Sequence, residues 1–393
     1  MRHALAAFVA LMIAACSSSG PPAATVAASS PTPSVTVPTA TSAAPTASPT
    51  PRLLPPGITD LSKVFKPLAS GWRPSGTTLV VAHAMVSGDI TLVAMPLGPR
   101  GSAGAPLPIV SFTPDTWALR SDAGALALSV WTGKGGRIAI WDVRSGAARW
   151  LTADEPGKSA LTPQWSKDGA SLYYLSSGDD GLTSIFQIGA DGSGRKQLRA
   201  AEPRTFALEG LTPDGNGLVW SGGGAGGSVE ILDIATGVNR HIENVARVAS
   251  WRARQPRALV MVGGCCAGRP GGSLVAFDDV ALTSRVVAER SQYGDIAWGT
   301  GAWDPTGTRV AAVRFDSASP YEGSLVILNA ESGSVQPIAD TRGVGYVLWL
   351  AEGIVFTRPL RIGVELMLLP EGGGPAVSVY QDPGLIQRID VPR

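Results

Sequence analysis

A unit made of a tryptophan, a turn and a hydrophobic strand recurs along the whole chain. Its clearest copy reads Trp-Ser-Lys-Asp-Gly at 165–169, followed by Leu-Tyr-Tyr-Leu at 172–175. A second copy reads Trp-Asp-Pro-Thr-Gly at 303–307, followed by Val-Ala-Ala-Val at 310–313. Further copies begin at Trp72, Leu119, Leu211, Trp251 and Leu348. Successive copies are about 40 to 52 residues apart, a period typical of a module of four β-strands.

Each unit has a second half that also repeats. After a glycine-rich or polar loop comes an alternating strand, which is followed in several units by a turn such as Ala190-Asp191-Gly192. Short β-rich runs separated by Gly and Asp are signals of strands and hairpins. No long stretch has the 3.6-residue period of a helix, so we expect very little helix. The seven predicted third strands contain residues 90–93, 138–141, 184–187, 229–232, 274–277, 325–328 and 365–368.

The repeats predict an all-β fold, a seven-bladed β-propeller, with six or eight blades as alternative counts. A four-stranded sheet of this size cannot bury both faces alone, whereas sheets stacked radially bury each other and protect their edges. The recurrent tryptophan is expected to pack between blades, beside the turn. The opening strand of the first blade is weak, and residues 385–391 read as a strand that latches onto this blade.

The motif Trp-Ser-x-Asp-Gly, with its following Leu-x-Tyr/Phe strand, resembles the repeats of TolB-like periplasmic propellers. It is also similar to the propeller that precedes the hydrolase domain in prolyl oligopeptidase-type enzymes. The resemblance covers nearly all of 58–380 and is closest at 165, 211 and 303. WD40-like repeats fit less well, because Trp-Asp dipeptides occur only at 141–142 and 303–304 and the Gly-His signature is missing. TolB-like propellers usually have six blades, so a count of seven departs from that family.

The first fifteen residues read as an export signal. A short basic start precedes an apolar stretch at 4–13, which is shorter than the roughly 20 residues that a membrane-spanning helix needs. The sequence at 13–17, Ile-Ala-Ala-Cys-Ser, resembles the lipobox of bacterial lipoproteins. That resemblance implies that Cys16 is acylated and becomes the new N-terminus. The alternative is an ordinary secretory signal with a chance cysteine.

Three segments follow from these patterns: a lipoprotein signal peptide at 1–15, a disordered tether at 16–57 and a propeller domain at 58–393. The tether consists mainly of Ser, Pro, Thr and Ala, and it cannot bury a core. We expect an extracytoplasmic monomer that is attached to a bacterial membrane by its lipid anchor. The chain has 32 basic and 31 acidic residues and no basic run, which argues against nucleic-acid binding.

Catalytic motifs are absent from the sequence. Only His83 and His241 remain after export, and no Gly-x-Ser-x-Gly elbow occurs for a serine nucleophile. No residue spacing indicates a zinc or calcium site, and no cofactor is expected. The leading interpretation is therefore a non-catalytic module that binds an envelope protein or a cell-wall ligand. The alternative is a propeller-type glycoside hydrolase or lyase that uses loop carboxylates such as Asp295, Asp316 and Glu322.

The loop at 263–272 is the most unusual local sequence, since five of its ten residues are glycine and it contains the adjacent Cys265 and Cys266. Outside the cytoplasm, these two cysteines could form a vicinal disulfide, and the loop could stiffen the fold, touch a ligand or have a redox role. It shares a predicted face with three other segments, around 293–295, 321–322 and 342, which together mix aromatic and charged groups. The predicted ligand-binding residues are Arg269, Tyr293, Asp295, Tyr321, Glu322 and Arg342.

Overall fold

The computed structural model describes residues 60–392 apart from 70, 85–88, 99–101, 114–115, 203–205, 223–227, 244, 252–256, 263–271, 279–280, 282, 291–295 and 317–318. These residues form seven antiparallel sheets, which confirms the seven-bladed β-propeller. The helical content described is one short 3-10 helix, Leu61–Lys63. In the described part, no helix has the length and apolar character needed to cross a membrane. The predicted signal peptide, the tether and Cys16 lie outside the described residues.

The strands follow one another in chain order within each sheet from blade 2 to blade 7. Blade 1 contains β1 (Phe65–Pro67), β2 (Thr78–Ala84), β3 (Ile90–Pro96) and β4 (Leu107–Phe112). Blade 2 contains β5 (Thr116–Leu119), β6 (Ala125–Trp131), β7 (Gly136–Asp142) and β8 (Ala148–Trp150). Blade 3 contains β9 (Lys158–Trp165), β10 (Ser171–Gly178), β11 (Thr183–Gly189) and β12 (Lys196–Glu202). Blade 4 contains β13 (Phe206–Leu211), β14 (Gly217–Gly222), β15 (Ser228–Asp233) and β16 (Asn239–Glu243).

The remaining blades repeat this arrangement, and a last strand follows them. Blade 5 contains β17 (Val245–Trp251), β18 (Arg257–Val262), β19 (Ser273–Asp278) and β20 (Thr283–Ala288). Blade 6 contains β21 (Ile296–Trp303), β22 (Arg309–Asp316), β23 (Ser319–Asn329) and β24 (Val335–Arg342). Blade 7 contains β25 (Val347–Leu350), β26 (Gly353–Pro359), β27 (Val364–Pro370) and β28 (Val377–Asp382), and β29 (Leu385–Asp390) comes last. All seven predicted third-strand segments lie in the third strands of their blades.

The last strand closes the ring, as the sequence predicted. β29 pairs with β2, so that Val80 lies opposite Asp390, and it takes the place of a first strand in blade 1. The N-terminal strand β1 pairs instead with β4, on the opposite edge of the same sheet. The copy of the repeat at Trp72 therefore keeps its turn but has no first strand before it. Trp72 itself is half-buried against the core between blades 1 and 2.

The hydrophobic core lies between the blades. In the described part, each of the seven interfaces between neighbouring blades has its own cluster of buried side chains, including the interface of blade 7 with blade 1. The second and third strands supply most of these side chains, because both faces of a blade are covered by neighbours. The ring therefore has no interface that lacks apolar packing.

The tryptophan that ends a first strand packs against the preceding blade. The indole Nε1 of Trp165 donates a hydrogen bond to the carbonyl oxygen of Ala118 in blade 2, at 3.1 Å. This contact confirms the predicted position between blades for Trp165. The turn that follows needs a left-handed backbone, and the repeated glycine supplies it at Gly169 (φ +69°) and Gly307 (φ +73°).

The first turn of blade 7 is shorter than its counterparts. In blades 2 to 6 the last residue of the first strand pairs with a residue seven positions later, as Trp165 does with Leu172 and Trp303 with Val310. In blade 7, Trp349 pairs with Ile354, only five positions later. Trp349 is buried against blade 6 and is the true equivalent of Trp165, so the start of this copy at Leu348 was wrong by one residue. Leu348 and Trp349 are both hydrophobic, so the sequence pattern alone did not distinguish these two starting positions.

Candidate functional site

Four residues form a row across the sheet of blade 6, near the end where second strands lead to third strands; we call this the loop end. Trp298 lies opposite Arg314, Arg314 opposite Ser324, and Ser324 opposite Arg342. Directly opposed residues on antiparallel strands project from the same face of a sheet. Trp298 packs in the core cluster that blades 5 and 6 share. The row, which we call the blade-6 row, therefore faces blade 5.

The end of the glycine-rich loop of blade 5 contacts this row. Gly272 and Trp298 exchange two backbone hydrogen bonds, of 2.8 and 2.9 Å, which join the two blades. The indole Nε1 of Trp298 donates to the carbonyl oxygen of Glu289 at 2.8 Å. The backbone N–H of Arg290 donates to the hydroxyl of Ser273 at 2.8 Å. The segment after β20 thus folds back beside the blade-6 row, and its backbone is held in place.

The blade-6 row carries two guanidinium groups that have no carboxylate partner within the described part of the chain. The Nε atom of Arg314 is buried and has no hydrogen-bond partner, although the residue as a whole is only half-buried. Arg342 is exposed at the end of β24. Among the described residues, no ion pair involves Arg314, Arg342 or Glu322. A buried donor without a partner is costly, and it is the kind of group that a ligand can satisfy.

The structure brings some of the predicted ligand-binding residues together. Glu322 and Arg342 both lie at the loop end of blade 6, in β23 and β24, and Tyr321 is the strand residue before Glu322. Arg269, Tyr293, Asp295, Cys265 and Cys266 lie outside the described residues. Sequence analysis missed Trp298, Arg314 and Ser324. The sequence contains a weak signal for Arg314 alone. This charged residue follows the apolar run at 310–313, at the end of the strand that lies away from the Trp303 turn.

Two carboxylates proposed for the enzymatic alternative belong to strands rather than to loops. Asp316 is the last residue of β22, and Glu322 lies within β23, so the placement of both in connecting loops was wrong. The reason is that this hairpin continues past the other strands: Asp316 pairs with Ser319 beyond an irregularity in the register. No cluster of three or more potential metal ligands is found in the described part of the chain.

Two buried carboxylates in third strands are already paired with arginine. Glu365 accepts a hydrogen bond from Arg358 Nε at 2.6 Å, and Gln381 donates to its other oxygen at 3.1 Å. Burial opposes ionisation of Glu365, but its hydrogen bonds, from Ser378, Gln381 and Arg358, outweigh burial and lower the pKa of this carboxyl group. Glu230 lies 3.5 Å from Arg199 Nη1. Such tightly paired groups hold strands together and are poorly suited to act as general acids.

His83 is buried and shares a hydrogen bond with a buried carboxyl group. It lies in β2, and its Nδ1 atom is hydrogen bonded to Asp382 at the end of β28. The other oxygen of Asp382 accepts the backbone N–H of Gly384 at 2.7 Å. Burial, together with the nearby charge of Asp382, raises the pKa of Tyr380 to about 12. The pair joins blade 7 to blade 1, where the ring closes.

Comparison with known proteins gives matches to solved structures only. No protein-family model matches the chain, and no curated protein matches it. One similar structure comes from an analysis of two prolyl endopeptidases, at 14% identity and a TM-score of 0.55. The match covers 81% of this chain and 50% of the endopeptidase chain. Another is oligogalacturonate lyase from Vibrio parahaemolyticus, at 11% identity and a TM-score of 0.51, over 80% of this chain and 87% of the lyase.

TolB from Acinetobacter baumannii is also among the similar structures, at 16% identity and a TM-score of 0.45. That match covers 68% of this chain and 66% of TolB. The chain thus spans just under two thirds of TolB and half of the prolyl endopeptidases. At 11% to 14% identity, the matches to the prolyl endopeptidases and to oligogalacturonate lyase show a similar fold alone.

Proposed function

We propose that this protein is a non-catalytic binding module of the bacterial cell envelope, which holds a carboxylate-bearing ligand against the blade-6 row. The observation that carries the proposal is the buried, unpartnered Nε atom of Arg314, with the exposed Arg342 on the same face of the sheet. Guanidinium groups bind carboxylates through paired, charge-assisted hydrogen bonds. Trp298 and the backbone of blade 5 give the site a rigid base.

Titration of the exported domain with two probes tests this function. Oligogalacturonate carries a carboxylate on each sugar, whereas maltotetraose of similar size is neutral. We expect binding of the first probe only, and we expect Arg314→Met or Arg342→Gln to weaken it about tenfold. Arg361→Gln is the matched control, because Arg361 is also exposed at the loop end but lies in blade 7. Equal affinities for both probes, or unchanged affinity in both row variants, would contradict the proposal.

The second candidate function is a polysaccharide lyase or glycoside hydrolase. It is favoured by the fold shared with oligogalacturonate lyase and by the position of Asp316 and Glu322 in one hairpin. A lyase would release an unsaturated product from oligogalacturonate, and this product absorbs in the ultraviolet. Product that forms with the parent protein and is lost in Asp316→Asn and Glu322→Gln variants would replace the binding proposal with the enzymatic one.

Membrane attachment is a further part of the proposal, and it depends on acylation of Cys16. Expression of the full chain in a bacterial host, followed by separation of membranes from soluble material, is the appropriate measurement. The parent protein should remain with the membranes, and Cys16→Ser should release it or leave its signal uncut. A Cys16→Ser variant that is processed and retained like the parent would rule out the lipid anchor.

A further inference from the structure

Blade 7 contains a cavity at the end of the propeller opposite to the blade-6 row. This end, where first strands turn into second strands, is here called the turn end. The cavity has a volume of about 570 Å³ and lies beside the shortened first turn of the blade. Its walls are Ala351 and Glu352 from that turn, and 370–373 from the turn between β27 and β28. The two residues that this turn lacks, compared with blades 2 to 6, leave the space open.

The glycines on the other wall keep the cavity open. A Cβ atom added at Gly372 or at Gly373 would have no atom within 4 Å. Gly373 also has a φ of +84°, which a residue with a side chain adopts only with strain. At these two positions the turn therefore has no side chain that could fill the cavity. Its volume is within the range of about 300 to 1,000 Å³ that is typical of small-molecule sites.

The two carboxylates of the cavity differ in their partners. Glu371 is neutralised by Arg309 Nη2 at 2.7 Å, and it also accepts the indole N–H of Trp349 at 3.0 Å. Glu352 accepts one hydrogen bond, from the hydroxyl of Thr77 at 2.5 Å, through Oε1. Its second oxygen, Oε2, is buried and has no partner. Within the described chain no cation pairs with Glu352, so the cavity has one carboxylate in excess.

We propose that this cavity is a second ligand site, which takes a single organic cation, an ammonium or guanidinium group, against Glu352. Glu352 as a whole is half-buried, but its buried Oε2 atom lacks the hydrogen bond or charge that would offset its desolvation, and a cation in the cavity supplies that charge. The excess of one carboxylate selects a monovalent group. The cavity is large enough for an extended lysine or arginine side chain, so the cation can belong to a free amine or to a basic residue of a protein.

Calorimetric titration with blocked amino acids tests the site. The probes are N-acetyl-lysine methylamide, N-acetyl-norleucine methylamide, which has the same carbon chain without the ammonium group, and free pentylamine, which carries one charge. We expect the parent protein to bind the lysine probe and not the norleucine probe. Glu352→Gln should weaken this binding about tenfold or more, since it removes the charge and keeps the shape. Affinities for the lysine probe and the free amine identify which of the two sources fits better.

Two further variants protect the test against misfolding. Glu331→Gln is the control, because Glu331 is an exposed glutamate at the turn end of blade 6, between β23 and β24, and this variant should bind like the parent. Gly372→Leu adds a side chain where there is open space and should block the cavity without changing the thermal unfolding temperature. Failure of both cationic probes to bind the folded parent, or binding that survives Glu352→Gln and Gly372→Leu, would overturn the proposal. Variants of the blade-6 row leave this binding unchanged if the two sites are separate.

Discussion

Individual buried carboxylates hold the turns at which first strands lead into second strands. Asp304 follows Trp303 and is almost completely buried. One of its oxygens accepts the backbone N–H groups of Thr308 and Arg309, at 2.8 and 2.9 Å, and the other accepts the hydroxyl of Thr306 at 2.7 Å. Burial opposes ionisation, but the hydrogen bonds from Arg309, Thr306 and Thr308 prevail and lower the pKa of Asp304. The turn is therefore fixed by one ionised side chain.

We expect Asp304→Ala to lower the free energy of unfolding by about 1 to 3 kcal/mol at neutral pH, because two partly buried backbone N–H groups lose their acceptor. The lowered pKa means that this stabilisation is complete above the unfolded-state value of about 4 and is lost as the pH falls. The difference from the parent should therefore shrink in acid. Urea unfolding at several pH values measures it, with Asp179→Ala as control, because Asp179 is exposed and its side chain accepts no hydrogen bond within the described chain. A difference that persists undiminished in acid would contradict this role of the charge.

At the scale of single elements, β29 is the strand that closes the ring. Its six residues cover the edge of β2, which would otherwise present unpaired N–H and C=O groups. Ile389 is 3% exposed in the core that blades 7 and 1 share, whereas Leu385, in the same strand, is 62% exposed. The buried pair of His83 and Asp382 joins the same two blades. Apolar packing and a buried hydrogen bond thus act together where the ring closes.

The strand gives a matched pair of substitutions. Ile389→Ala should lower the stability by about 2 to 5 kcal/mol, since it leaves a cavity in the core. Leu385→Ala, in the same strand but exposed, should change the stability by at most about 0.5 kcal/mol. Denaturant unfolding followed by tryptophan fluorescence measures both. Equal effects of the two substitutions would show that β29 is not held by its buried side.

At the scale of the whole molecule, most of the fold could be predicted from the sequence because the repeat carries it. The turn glycines, the third strands and the closing strand all follow from local patterns, and the structure confirms them. The position of β1 could not be predicted in this way. Once the tail supplies the first strand of blade 1, the N-terminal strand has to pair elsewhere, with β4. A local sequence pattern does not show that two distant segments compete for the same position in a sheet.

The candidate sites were less predictable because they depend on register and on comparison between blades. Arg314 and Arg342 are neighbours of Ser324 only because three strands align in one particular register. The carboxylate of Glu352 borders a cavity only because its turn has two residues fewer than its counterparts. Neither fact appears in a motif. Glu322 and Arg342 could be predicted because both lie near strand ends that the repeat defines.

The pairing of β2 with β29 has a consequence for how quickly the protein matures. Each blade joins residues that are near each other in the chain, but Val80 meets Asp390 across about 310 positions. Contacts between such distant residues have a higher entropic cost of closure and form slowly. Until the last strand docks, the edge of β2 is available to any other extended chain. We expect that copies which meet before β29 docks pair through this open edge and lower the yield of folded protein.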